Sequence, residues 1–212
     1  IDYDYSYLIS ESADSFFYKK GHLFKKVIVI LKGFFIRLGN IINASKYDVI
    51  YIQREAFLLG TILFEKGFSK SRAKVIYDFD DSIWISNVSD ANKKWLWLKN
   101  PNKTKEIIRI ADTIFAGNTY LANYAKQFND NVVVVPTTIN TSYHTPKKKK
   151  QKNDRLCIGW TGSLTTIQHF EHAIPILKKI KNKYGDKIEI KVIGDENYVN
   201  ENFNVIYDDV SV

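Results

Sequence analysis

Short apolar runs rich in Val, Ile, Tyr and Phe recur along the chain, and segments with helical periodicity separate most of them. The strand-like runs occupy residues 47–53, 74–79, 112–116, 131–136, 155–160, 187–193 and 204–207. The helix-like segments occupy residues 23–43, 55–66, 103–111, 118–128 and 167–184. Strands that are apolar on both faces and alternate with helices are typical of a parallel sheet covered on both sides. The sequence therefore predicts the α/β fold class.

A run of lysines divides the chain. The segment PKKKKQKND, residues 146–154, offers nothing to a core, and its like charges repel one another, so we expect an extended, solvated connection. This predicts a first domain at 1–146, a basic linker at 147–155 and a second domain at 156–212. The second domain is too short for a complete doubly wound sheet, and we expect it to be truncated.

The composition indicates a cytoplasmic protein. A single cysteine, Cys157, excludes a disulfide framework and favours a reducing compartment. We predict that Cys157 lies in the core of a strand rather than acting as a nucleophile. The chain shows neither the pattern of a signal peptide nor an uncharged run of about 20 residues, the length that a membrane span requires.

The net charge of +8 is concentrated in two places. Residues 15–47 hold seven Lys or Arg and no acid, and residues 147–155 hold six against one acid. A nucleic-acid-binding domain more often spreads its basic residues over one face, with aromatic residues between them. The distribution therefore argues against nucleic acid as a partner.

The segment 23–43 predicts a basic amphipathic helix. On a helical wheel its apolar residues fall within an arc of about 160°, and Lys25, Lys26, Lys32 and Arg37 fall on the other side. Such a helix can cover a sheet and leave its basic residues in solvent, or it can bind an anionic membrane surface. The two interpretations are compatible. The second predicts a peripheral protein on the inner face of the plasma membrane.

Three carboxylates, those of Asp78, Asp80 and Asp81, lie at the end of the strand-like run 74–79 and directly after it, in the stretch VIYDFDDSIW. Ligands of open parallel sheets bind beyond the carboxyl ends of the strands, where Asp80 and Asp81 are expected. Three interpretations remain open. The carboxylates cap a following turn, or Asp78 and Asp80 chelate a divalent ion as a D-x-D pair, or one carboxylate binds a sugar hydroxyl or assists proton transfer.

The stretch GWTGSLTT predicts a second ligand-binding turn, between a strand and the helix from Ile167. Its Gly162, Ser163 and Thr165 could receive a phosphate at a helix start, and a plain tight turn explains the same residues equally well. Gly194 ends the next strand on the same expected edge. The stretch fits neither the P-loop pattern nor the dinucleotide pattern.

Five segments in order, from about residue 47 to residue 195, resemble glycosyltransferases of the GT-B fold, specifically the bacterial polysaccharide branch of glycosyltransferase family 4. They are YDVIYIQREAF, VIYDFDDSIW, ADTIFAGNTYLANYA, VVVVPTTINTSYHTP and IGWTGSLTT followed by KIEIKVIGD. The fourth resembles the family pattern v-x-P-N-G-V-D-x-x-x-F-x-P, with Thr137 and Thr138 in place of Asn-Gly.

The resemblance implies two Rossmann-like domains, of which the first binds a lipid-linked or glycan acceptor and the second a nucleotide-sugar donor. By residue-to-residue transfer, Asp80 and Asp81 are the candidate catalytic residues on the acceptor side. Gly162, Ser163, Thr165 and Gly194 are the candidate donor-binding residues. Retention of anomeric configuration follows from the family alone, and neither a metal ion nor another cofactor is expected.

Two departures from the family pattern bear on activity. The paired glutamates of the second domain have no counterpart before Val212, and the first strand with its Gly-rich loop has none at the amino end. We therefore expect the sequence to be part of a longer protein and to be inactive by itself. Two other functions stay open: a GT-B sugar-nucleotide epimerase, and a non-catalytic module that binds carbohydrate or a membrane surface.

Overall fold

A computed structural model describes residues 1–17, 21–85, 100, 102–145, 155–162, 166–193 and 206–207. It divides into two compact units, Ile1–Asn140 and Thr141–Val212. The predicted linker at 147–155 lies outside the described residues except for Arg155, and its conformation stays a prediction.

The first unit is a mixed α/β structure built on a parallel sheet. Its strands are β1 (Val49–Gln53), β2 (Lys74–Phe79), β3 (Thr113–Ala116) and β4 (Val132–Val134), in the order β1-β2-β3-β4. Its helices are α1 (Glu11–Phe17), α2 (Leu23–Asn43), α3 (Leu63–Ser69), α4 (Lys103–Ile110) and α5 (Thr119–Ala125). The parallel sheet flanked by helices agrees with the α/β prediction.

The sequential strand order places the connecting helices on the same face of the sheet. Because every step between neighbouring strands runs in the same direction, right-handed crossovers place α3, α4 and α5 on one face. That face is buried, and β2 contributes Val75, Tyr77 and Phe79 to it. On the other face Val49 and Tyr51 are exposed. Among the described residues, the prediction of a sheet covered on both sides therefore holds for one face only.

Helix α2 begins and ends where the sequence predicts, but its faces differ from the helical wheel. Ile30, Phe34, Leu38 and Ile41 pack against the core, whereas the rest of the apolar arc does not. Arg37, predicted on the solvated side, is buried. Its Nε donates to the carbonyl of Ala56 at 2.6 Å, and its other nitrogens donate to Ser6.

Two predicted helices differ from the observed ones. Helix α3 begins at Leu63 instead of residue 55, because residues 55–62 form a loop. The predicted helix 167–184 is interrupted between α6 (Ile167–Glu171) and α7 (Ile174–Tyr184). Pro175 explains the break, since it lacks an N–H and its ring clashes with the carbonyl four residues earlier.

The second unit has a parallel sheet in the order β5-β6-β7, with β5 at Leu156–Thr161, β6 at Ile188–Ile193 and β7 at Ile206–Tyr207. A small core forms where Phe170, Leu177, Ile190 and Val192 pack together. Cys157 is exposed, which corrects the prediction of a core thiol. The described helices α6 and α7 cover the face of β5 that carries Ile158 and Trp160, opposite to Cys157.

Candidate functional site

The carboxyl ends of β1, β2 and β3 meet at one edge of the first sheet. The register pairs Gln53 with Asp78 and Phe79 with Ala116, so the residues after each strand are neighbours. These are Arg54, Asp80 and Gly117. This is the edge at which parallel α/β sheets bind ligands. The structure therefore places the predicted Asp80 and Asp81 where the sequence indicated.

Asp80 is held against Gly117. The N–H of Gly117 donates to the carbonyl of Phe79 at 3.0 Å, which brings the end of β2 close to the turn after β3. A Cβ atom on Gly117 would lie 3.0 Å from the Cα of Asp80 and 3.2 Å from its Cβ. Only glycine avoids this contact. The side chain of Asp80 is exposed and accepts no hydrogen bond from the described residues.

Asp81 forms an ion pair with Arg54 across the same edge. The Arg54 guanidinium lies 3.2 Å from Oδ2 of Asp81, and both side chains are more than half exposed. Among the described residues neither Asp80 nor Asp81 shows the capping role, one of the three open interpretations, because the N–H of Ile83 bonds to the backbone carbonyl of Asp81 rather than to a carboxylate. A pair this exposed contributes little to stability. It brings two opposite charges next to each other at the rim.

Arg54 adopts the left-handed backbone conformation, with φ of 62°. This region is unfavourable for a residue with a Cβ atom, and it persists only where surrounding contacts enforce it. Two hydrogen bonds do so here. The N–H of Arg54 donates to the carbonyl of Asp78 at 2.8 Å, and the buried hydroxyl of Tyr77 donates to the carbonyl of Arg54 at 2.7 Å.

A buried lysine anchors the loop that follows Arg54. The ammonium of Lys103, at the start of α4, donates to Glu55 Oε2 at 2.8 Å, to the carbonyl of Leu59 at 2.8 Å and to the carbonyl of Phe57. Glu65 Oε1 lies 3.9 Å from the same ammonium. Because Lys103 joins α3, α4 and the loop, it keeps the polypeptide next to the rim in one conformation. Sequence reasoning missed this residue.

Glu65 is the most deeply buried carboxyl group among the described residues. Its Oε1 accepts a hydrogen bond from the N–H of Ala56 at 3.0 Å, while Oε2 has no partner. Burial raises the pKa of Glu65, and the nearby Lys103 ammonium opposes that rise. Burial of the phenol is the main reason why the pKa of Tyr77 is raised, and the negative charge of Glu65 contributes to the same rise. Tyr77 therefore stays a hydrogen-bond donor to Arg54.

Asp78 points to the other face of the sheet. Its Oδ2 accepts a hydrogen bond from the Tyr51 hydroxyl at 2.6 Å. Burial, followed by this bond and by the negative charges of Asp78 and Asp80, raises the pKa of Tyr51. Asp78 is thus hydrogen-bonded to Tyr51. Among the described residues, no group of three or more His, Cys, Asp and Glu forms a metal-binding cluster.

Trp84 is a packing residue. Its ring stacks on Tyr124, with centroids 3.6 Å apart and planes 3° apart, and its edge contacts Phe79. The ring therefore packs one face on Tyr124 at the border of the core, behind the acidic turn. Trp95 and Trp97 lie outside the described residues.

In the second unit the structure describes one of the four predicted donor-binding residues. Gly162 follows β5, and its N–H donates to the carbonyl of Ile193 at 3.1 Å. A Cβ atom there would lie 2.4 Å from the Trp160 ring and 2.6 Å from Thr166 Oγ1, so neighbouring side chains already explain the glycine. Ser163, Thr165 and Gly194 lie outside the described residues, and their roles stay predictions.

No protein-family model and no curated protein matches the chain. It is similar to a solved chain of the Glycosylation Associate Protein (Gap123) complex from Streptococcus agalactiae, with a TM-score of 0.37 and 17% identity. The match covers 77% of this chain and 30% of that chain. A likeness of this size establishes neither fold nor function, and the family resemblance rests on the sequence motifs.

Proposed function

We propose that the protein is a glycosyltransferase of the GT-B type that transfers a sugar from a nucleotide-sugar donor to a lipid-linked or growing cell-surface polysaccharide. In this proposal the two units belong to two Rossmann-like domains, the first on the acceptor side and the second on the donor side. The reaction retains the anomeric configuration and uses neither a metal ion nor another cofactor.

The observation that carries the proposal is the rim of the first sheet. The exposed carboxylate of Asp80 accepts no hydrogen bond from the described residues, and it lies at the edge where parallel sheets bind ligands. Arg54 and Asp81 lie next to it as an ion pair. Sugar hydroxyls are both donors and acceptors, so a rim that offers carboxylate oxygens and guanidinium N–H groups suits a carbohydrate.

Each rim residue has a separate proposed role. Asp80 accepts a hydrogen bond from an acceptor hydroxyl and orients it for transfer. Asp81 pairs with the Arg54 guanidinium next to Asp80. Tyr77 and Lys103 are positioning residues. Tyr77 holds the backbone of Arg54 in place, and Lys103 holds the loop that follows it. Gly162, Ser163, Thr165 and Gly194 are assigned to the donor by the family resemblance.

Donor hydrolysis by the full-length protein tests the proposal. Purified protein is incubated with UDP-, GDP- and ADP-sugars, with and without EDTA, and free nucleotide is measured. We expect one donor class to turn over, with no loss on addition of EDTA. Loss of turnover with EDTA would restore the interpretation of Asp78 and Asp80 as a metal-binding pair.

The same assay separates the other two functions. A sugar-nucleotide epimerase converts the donor to its epimer, so chromatography of the sugar products distinguishes it from a transferase. A non-catalytic binding module leaves all donors intact. Either result contradicts the proposed transferase.

A further inference from the structure

Helix α2 carries a continuous apolar surface that faces solvent. The exposed fractions are 78% for Phe24, 49% for Ile28, 55% for Leu31, 68% for Phe35 and 81% for Ile42. These positions are three, four or seven residues apart, so they line up along one side of the helix. We call this surface the α2 stripe. An exposed apolar patch that runs along a 21-residue helix marks an interaction site.

The opposite side of α2 is fixed to the first unit. Gly33 is buried against Leu8, and a Cβ atom there would lie 3.1 Å from the Leu8 side chain. Phe34 packs its ring edge on Phe64, with centroids 5.3 Å apart. Arg37 is held by Ser6 and by the carbonyl of Ala56. The stripe is therefore presented outward by a helix that belongs to the core of the unit.

The charges of α2 determine which partner the stripe fits. Lys25 and Lys32 are exposed, seven residues apart, and lie along one flank of the stripe. The helix contains no acidic residue. A second copy that packed stripe against stripe would bring these lysines near one another without an acid to pair with. An anionic lipid surface satisfies both the apolar side chains and the ammonium groups.

The tertiary contacts also determine how such a helix meets a bilayer. By length and composition alone, Leu23–Lys46 could cross a membrane. Crossing would pull Arg37 away from Ala56 and Ser6 and strip its buried guanidinium of hydrogen bonds. A helix that lies in the plane of the interface keeps these bonds and inserts only its stripe.

We propose that the α2 stripe docks the protein on an anionic membrane surface, with α2 in the plane of the interface and Phe24, Leu31 and Phe35 inserted among the lipids. This goes beyond the proposed glycosyl transfer and does not depend on it, since it rests on α2 alone. It locates the protein at the cytoplasmic face of the membrane, where anionic lipids are exposed to it.

Cosedimentation with vesicles tests the docking. The full-length protein is mixed with vesicles of phosphatidylcholine alone or of phosphatidylcholine with phosphatidylglycerol. We expect binding to the anionic vesicles that is about tenfold tighter than to the neutral ones and that weakens with salt. Binding that is equal on both vesicles, or absent from both, overturns the proposal.

Matched variants locate the docking surface. We expect Phe24→Ser/Phe35→Ser and Lys25→Gln/Lys32→Gln each to reduce binding by about tenfold or more. The control Leu63→Ser/Tyr120→Ser removes a comparable amount of exposed apolar surface elsewhere in the unit, and Lys70→Gln/Lys126→Gln removes the same number of exposed charges. Both should bind like the wild type. Equal binding by stripe and control variants overturns the proposal.

Two further results would point to another partner or topology. If the stripe variants change a concentration-dependent dimer into a monomer and leave vesicle binding intact, the stripe is a contact between copies. If the bound protein resists alkaline carbonate, α2 spans the bilayer. Donor hydrolysis without vesicles is expected to be the same in the stripe variants and the wild type, so failure of docking and failure of the proposed function are distinguishable.

Discussion

The hydroxyl of Tyr77 donates a 2.7 Å hydrogen bond to the backbone carbonyl of Arg54. The donor is fully buried in the sheet, and the acceptor belongs to a residue in the left-handed conformation at the rim. The bond therefore links the core of the first unit to the geometry of the candidate site. Tyr77→Phe removes this bond and almost no volume. We expect a loss of about 1 kcal/mol in the free energy of unfolding, measured by urea denaturation. An unchanged unfolding midpoint contradicts this link.

Arg54 offers a test of backbone strain. Arg54→Gly and Arg54→Ala both remove the ion pair with Asp81, but only glycine relieves the left-handed conformation. We expect Arg54→Gly to be more stable than Arg54→Ala by about 1 kcal/mol. Thermal or urea unfolding of the two variants measures the difference. Equal stability would mean that the backbone is free to leave this conformation when the side chain is shortened.

Gly117→Ala tests the close approach at Asp80. The added methyl group would lie 3.0 Å from the Cα of Asp80, and backbone must move to admit it. We expect a destabilisation of about 1–3 kcal/mol together with slower donor turnover.

Gly39→Ala is the control, because a Cβ atom there meets nothing within 4 Å. In the middle of α2 it should stabilise the protein by about 0.5–1 kcal/mol. A destabilising Gly39→Ala, or a neutral Gly117→Ala, contradicts this packing.

Lys103→Met tests the clamp on the loop after Arg54. The substitution leaves Glu65 without its counter-charge and two carbonyls without their donor. We expect a loss of about 3–5 kcal/mol, the usual effect of removing one partner of a buried charge pair. The exposed Lys126, replaced by Met in the same way, should change stability by less than about 0.5 kcal/mol. Similar unfolding midpoints for the two variants would show that the clamp does not stabilise the unit.

Asp112 gives the first unit a defined dependence on pH. Its carboxylate accepts hydrogen bonds from Lys74 Nζ at 2.7 Å and from the N–H of Val75 at 2.9 Å. These bonds hold the pKa of Asp112 below its ordinary value of 3.8. The stabilisation is thus complete above the unfolded-state pKa and is lost as pH falls through the lower folded-state pKa.

The expected result is a pH-dependent difference between variants. Asp112→Ala should destabilise by about 1 kcal/mol between pH 5 and pH 8, and its difference from the wild type should shrink below about pH 4. Lys74→Ala removes only the exposed partner and should cost about 0.5 kcal/mol or less. Urea denaturation across this pH range measures both. A difference for Asp112→Ala that grows on acidification contradicts the assignment.

The sequence predicted features that depend on local pattern. The bounds of α2 and β2, and the position of Asp80 and Asp81 at a strand end, follow from hydrophobic periodicity and from the usual site of ligands in parallel sheets. Pro175 itself indicates the break between α6 and α7, but the helical spacing of the apolar residues around it predicted one continuous helix.

The features that the sequence missed depend on distant partners. Arg37 is buried because Ser6 and Ala56, 31 and 19 residues away, supply acceptors that a helical wheel does not contain. Lys103 finds its acceptors in a loop more than 40 residues away. Arg54 had a weak signal, since a basic residue directly after a buried strand is expected at the ligand edge.

The most direct test of the account is the initial rate of donor hydrolysis, in which water takes the place of the acceptor hydroxyl that Asp80 orients, by the full-length protein carrying Asp80→Asn. The substitution keeps the size of the side chain and removes its charge, and Asp80 makes no hydrogen bond whose loss would unfold the described structure. Asp130→Asn, at another exposed position of the unit, is the control. The account predicts that Asp80→Asn lowers the rate at least about tenfold while Asp130→Asn leaves it unchanged. A wild-type rate for Asp80→Asn, on a donor that the protein does hydrolyse, would contradict the placement of the site at this rim.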